Sequence, residues 1–91
     1  MPQLFPFGRL LATPGALAAL QTCGVSPLIL LSRHVSGDWS DMTQEDQQRN
    51  RDAIHDGSRV FSGYDLAEGV RIWVITEADR ASTTILLPSE Y

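Results

Sequence analysis

The chain has 91 residues, 43% of them hydrophobic, and a formal net charge of -4 from eleven carboxylates against seven cations. That length holds one modest core, the composition is globular rather than disordered, and no apolar run reaches the length of a membrane-spanning helix. Every cation is an arginine, spread singly from Arg9 to Arg80 except for the neighbours Arg49 and Arg51, so the basic stripe that grips a phosphate backbone is missing and direct nucleic-acid binding is disfavoured.

Met1 to Phe7 carries Pro2 and Pro6 and no positive charge ahead of its apolar residues, which does not read as a secretory leader; a cytoplasmic protein is expected. Phe7 to Ala12 reads as a short strand, confined by its prolines to a sheet edge or a strand start. Thr13-Pro14-Gly15 then has the grammar of a helix entry, an N-cap followed by proline at the first helical position, and the helix stops at Gly24. Leu17, Leu20, Ala16 and Cys23 form its apolar stripe. Cys23 is the single cysteine, expected as a small buried thiol, and it excludes both a disulfide scaffold and a cysteine-rich zinc site.

Ser26 and Pro27 repeat the entry signal, and the second helix runs to about Val35, ended by Gly37. Leu28, Leu31 and Val35 make its expected buried face, widened by Ile29 and Leu30. Asp38 to Met42 is a loop holding Trp39, whose commonest use is to cap the open end of a small core. Thr43 with Asp46 approximates a capping box and opens a third helix, Gln44 to Asp56. That helix is polar until Ala53 and Ile54, so it is expected to be mostly solvated and held by its ends.

Ser58 to Leu66, Val70 to Thr76 and Ser82 to Leu87 are rich in β-branched and aromatic residues and separated by short turns, the pattern of a three-stranded antiparallel meander. The whole is a single α+β domain over residues 1–91: a short N-terminal strand, two short helices, one polar helix, then the meander. In the middle strand Val70, Ile72 and Val74 point one way and Arg71, Trp73 and Ile75 the other. Helices can roof only one of these faces. Trp73, Ile75, Phe61 and Leu86 are therefore expected to form an apolar contact face, used in a homodimer or against a protein partner.

The residues that could carry chemistry are few. His34 and Asp38 are four apart, the spacing of a shared helical face, but a metal would need a third ligand, and Gly37 is expected to end the helix first. Thr76 to Arg80 gathers two carboxylates and a guanidinium at a hairpin tip, where a solvated turn is the plainer explanation. The serines make no Gly-x-Ser-x-Gly elbow, and a chain without lysine has no phosphate-cradling loop of the Lys-Ser/Thr kind. His34, Asp38, Asp79 and Arg80 remain as weak catalytic candidates, no metal or cofactor is assigned, and the balance favours a non-enzymatic protein.

The segments Phe5 to Leu17, Arg33 to Trp39, Ile72 to Arg80 and Thr83 to Pro88 together resemble a family of short bacterial proteins found on plasmids and genomic islands, some of which carry a label tying them to type I restriction modification subunits. The resemblance implies an accessory role on a mobile genetic element; a methyltransferase does not fit in 91 residues. The order strand, two helices, meander is also similar in topology to ribosome-dependent toxin endoribonucleases, which hold messenger RNA with basic residues that this chain lacks. Three functions follow as expectations: an accessory protein that self-associates or binds a protein partner through the sheet face, a small toxin-like RNA-cleaving or hydrolytic enzyme, and an inhibitor of a host defence nuclease or restriction complex.

Overall fold

Seven regular elements follow from the local signals: β1 (Arg9–Ala12), α1 (Pro14–Cys23), α2 (Pro27–Ser36), α3 (Gln44–Asp56), β2 (Val60–Asp65), β3 (Arg71–Thr76) and β4 (Ser82–Leu86), with single 3-10 turns at Ala67–Gly69 and Pro88–Glu90. The computed structural model describes Gln3 to Tyr91, so the Met1 and Pro2 part of the leader reading lies outside the described residues. Each helix opens on the hydroxyl its sequence offers: Thr13 accepts from the Ala16 N–H, Ser26 from Leu28 and Thr43 from Asp46. These bonds satisfy donors that the first helical turn leaves without partners. Gly37, at φ +83°, turns the chain out of α2 in the left-handed conformation, where a side chain would be strained.

The fold is α+β, with α1 and α2 over one face of a four-stranded sheet of order β1-β4-β3-β2 and α3 alongside its β2 edge. β2, β3 and β4 form the expected antiparallel meander, while β1 lies parallel to β4 at the far edge and makes the sheet mixed. The edge position expected from its prolines is the one β1 takes. Its start is also later than Phe7. Gly8 sits at φ +65° with the Ala81 backbone where a Cβ would go, and the ladder begins with the Arg9 N–H on the Ala81 carbonyl.

The core lies between the helices and the inner sheet face, where Ala16, Leu20, Leu30 and Trp39 meet Val60, Tyr64, Ile72, Val74 and Ile85. Trp39, 2% exposed, closes this core with its indole N–H on the His34 carbonyl. Two expectations change. Leu28 is 64% exposed, because the inward face of α2 is made by Leu30 and His34 together with the expected Leu31 and Val35, and Cys23 at the end of α1 is only half-buried. His34 on that face meets hydroxyls from two strands.

α3 is the third correction, since it is held at its middle rather than only by its ends. Asn50, 3% exposed, lies beside β2, the edge strand, and its carboxamide accepts from the Phe61 N–H (3.0 Å) while donating to the Phe61 carbonyl (2.9 Å). Four residues further along the same edge, past Gly63, the Asp41 carboxylate accepts from the Asp65 N–H at 3.0 Å. Side chains thus occupy the backbone groups through which an exposed edge would recruit another strand. Asn50→Ala leaves both Phe61 groups unpaired and is expected to cost about 3 kcal/mol, read from urea denaturation; a loss within experimental error would show that α3 is held by something else.

Candidate functional site

His34, foremost of the catalytic candidates, is fully buried. Its Nδ1 lies 2.6 Å from the Ser62 hydroxyl and its Nε2 2.8 Å from that of Thr76; Thr76 in turn lies 2.6 Å from the Thr83 hydroxyl, which donates to the Phe7 carbonyl. A carbonyl only accepts, and that fixes the direction of the whole chain. Thr83 spends its proton on Phe7, so Thr76 donates to Thr83 and accepts from Nε2–H, and Nδ1 accepts from Ser62. The imidazole is therefore the neutral Nε2–H tautomer with both nitrogens occupied. Burial, with a smaller contribution from the Arg80 charge, lowers its pKa to about 3, so it neither accepts a proton near neutral pH nor faces a solvent-filled space.

The other three candidates are also engaged by the fold, and the structure gives none of them a contact with His34. Asp38 accepts from Arg33 Nε at 2.9 Å and from the Ser40 hydroxyl at 3.0 Å, and the Arg33 bond holds its carboxyl below the usual range. Asp79 accepts from the Ala81 N–H within its own turn. Arg80 takes a left-handed backbone, φ +61°, and donates to the carbonyls of Ser58, Glu77 and Ala53. Its guanidinium pins the β3–β4 turn to the C-terminal turn of α3, where free carbonyls favour a cation. Glu77 of the same turn lies 3.5 Å from Arg59 Nε. Among the described residues no group of three or more His, Cys, Asp or Glu side chains is placed to hold a metal ion.

The outer sheet face carries Trp73, Ile75, Phe61 and Leu86 as the alternation predicts, but they are not equally available. Ile75 and Leu86 are 2% and 6% exposed, and the Pro88–Glu90 turn lies against β3 and brings the Tyr91 ring to 5.7 Å from Trp73 and 6.3 Å from Phe61. The exposed part of the face is Phe61 and Trp73, each half-buried and in edge contact at 4.9 Å.

These two rings floor a cleft of about 540 Å³ between α3 and the sheet. Arg49 reaches it from α3, Arg59 from the residue before β2, and Arg71 from the start of β3, with Asp46 at the rim. Gly63, directly across from Trp73, leaves room for Arg71: a Cβ there would stand 2.5 Å from its Nη2. The volume lies in the range of ligand sites, and an aromatic floor with a few guanidiniums can bind and orient a ligand. Arg71 shares the face of Trp73 by simple alternation. Arg59, two residues before Phe61, shares that face in the same way, while Arg49 joins it because Asn50 lays α3 along β2, a contact with no signature in the sequence.

No family model, curated protein or solved structure matches the chain. The function therefore rests on geometry.

The buried histidine has a measurable consequence. Above pH 6.5 His34 is neutral both folded and unfolded; below it the unfolded chain takes up a proton that the folded chain refuses down to about pH 3. Stability is thus fully present above pH 6.5 and is lost at up to about 1.4 kcal/mol per pH unit on acidification. Urea midpoints measured from pH 7 to pH 5, above the titration of most carboxylates, should show this fall, and His34→Gln should flatten it. A flat wild-type profile over that interval would contradict the neutral, sequestered imidazole.

Proposed function

We propose that the chain is a non-enzymatic interaction module, cytoplasmic and accessory to a bacterial mobile element, that engages a protein partner through the outer face of its sheet. The single observation that carries this reading is the Phe61–Trp73 floor. Two large aromatic rings, bordered by Tyr91, are left half-buried in an open cleft, while Ile75 and Leu86 on the same face are buried. Aromatic and arginine side chains gathered in one concavity are the composition from which binding hot spots are built. The mobile-element setting rests on the resemblance of the Phe5–Leu17, Arg33–Trp39 and Ile72–Arg80 segments.

Catalysis is the less supported alternative. His34, Asp38, Asp79 and Arg80 each spend their polar atoms on the fold, and no two of them share a cavity with the cleft's aromatic floor. Self-association through the cleft is less favoured than a separate partner, because two copies meeting there would bring hollow to hollow and arginine to arginine.

Trp73→Glu places a carboxylate in the floor and is expected to abolish the contact while leaving far-ultraviolet circular dichroism unchanged. Affinity capture from host lysate, comparing wild type, Trp73→Glu and the helix-side control Leu28→Glu, should recover a protein retained by the first and third and lost by the second. Equal recovery by all three would remove the outer face as the contact surface, and light scattering on the same samples separates a partner from a second copy.

A further inference from the structure

The lining of the cleft is richer in cations than the molecule that carries it. Three guanidiniums and one carboxylate, Asp46, line it, in a chain of net charge -4. Its guanidiniums also stand on three sides of the floor: Arg59 beside the first residue of β2, Arg71 opposite the last, and Arg49 on the α3 wall. Each is held by a carboxylate of the chain itself. Arg49 Nη2 lies 2.9 Å from Glu45 and its Nη1 3.7 Å from Asp46, Arg59 Nε 3.5 Å from Glu77, and Arg71 Nη1 2.6 Å from Asp65. Arg59 Nη1 also donates to the Tyr91 hydroxyl at 3.0 Å. All these ion pairs are substantially exposed, so they contribute little to stability, and a guanidinium with five donors can exchange or share such a partner cheaply.

We propose that the occupant of the cleft is an acidic, extended peptide segment of the partner, with an aromatic or aliphatic side chain on the Phe61–Trp73 floor and carboxylates on Arg49, Arg59 and Arg71. This rests on the outer face being the contact surface and adds the chemistry of what lies there. An extended chain suits the layout. β2 spans roughly 17 Å between its end residues, and only a ligand with several separated charges reaches guanidiniums distributed along that length. A single phosphate engages one corner. A polynucleotide brings a charge at every residue, and Asp46, Asp65 and Glu77, interleaved with the arginines, repel those that fall between guanidiniums; a peptide carries carboxylates only where guanidiniums meet them.

The experiment is selection of a random heptapeptide phage library on the folded protein, followed by fluorescence anisotropy of the enriched peptides. Enriched sequences are expected to carry at least two Asp or Glu residues around an aromatic or aliphatic one. Their affinity should fall about tenfold for Arg71→Gln, the scale of one lost charge-assisted contact. It should also fall as salt rises from about 50 mM to about 300 mM. Gly63→Ala supplies a variant that leaves the fold intact, because Gly63 lies outside the left-handed region and its new Cβ meets only the movable end of Arg71; it should weaken binding by displacing that guanidinium.

Neutral or basic peptides that still depend on Trp73 would overturn the acidic occupant while leaving the contact face standing. Absence of any Trp73-dependent peptide would overturn both. A second arm uses AMP and UMP as probes, with the sealed Trp39 as internal reference for quenching of the accessible Trp73. Saturable quenching by either nucleotide without acidic enrichment would assign the cleft to nucleotides and refute the peptide.

Discussion

The outer face of this molecule depends on one carboxamide. By giving the Phe61 backbone an acceptor for its N–H and a donor for its carbonyl, Asn50 acts as the strand that β2 lacks and brings a highly polar helix against the sheet. An amide is the side chain suited to this, since it offers donor and acceptor in the same plane and spacing as a peptide group. α3 has little apolar surface to bury, with Ala53 its only buried apolar side chain and Ile54 packed partly against the core. Hydrophobic burial alone would fix its position poorly. The bidentate contact, together with Arg80 on the Ala53 carbonyl, replaces burial by directional bonds, and the cleft wall inherits that precision.

On the inner face a second set of directional bonds performs a related task. Ser62, Thr76 and Thr83 come from three adjacent strands, and the His34 ring with the Thr76–Thr83 contact links all three to α2 before the chain ends on Phe7 ahead of β1. Sliding α2 or any one strand breaks the series and leaves a buried hydroxyl or imidazole nitrogen unpaired, which costs more than the intact bonds contribute. The series therefore specifies register as much as it adds stability. It also explains why a histidine near a helix C-terminus, where exposure and the macrodipole would favour charge, is instead neutral and silent.

What could be read from the residues alone was whatever short-range grammar decides. Hydroxyl caps, proline at N1 and glycine stops place α1 and α3 at the expected residues, and alternation through Arg71–Thr76 assigns each side chain of β3 to the correct face. What could not be read depended on contacts distant in sequence. The Asn50–Phe61 pair, the four hydroxyl and imidazole groups of the buried series, and the return of Tyr91 beside Phe61 and Trp73 join residues whose types are individually unremarkable as signals. The expected apolar face is divided, Ile75 and Leu86 buried and Phe61 and Trp73 half-buried in the open cleft.

That division bears on why the open part is charged. Arginine without lysine gives cations whose planar heads can lie flat on rings and backbone: Arg33 over Tyr64 at 4.5 Å, Arg80 over Phe5 and Arg59 over Tyr91, both at 5.7 Å. Such a head remains fully charged while its stem and faces behave as apolar surface. Around Phe61 and Trp73, guanidiniums can therefore border an aromatic floor without the hydration that ammonium groups would bring into it. The neighbouring carboxylates keep the free molecule close to neutral at this spot, which limits indiscriminate attraction of anions. Affinity then depends on a ligand that supplies both the ring contact and correctly spaced charges, so the carboxylates that weaken the cleft's field are also what makes it selective.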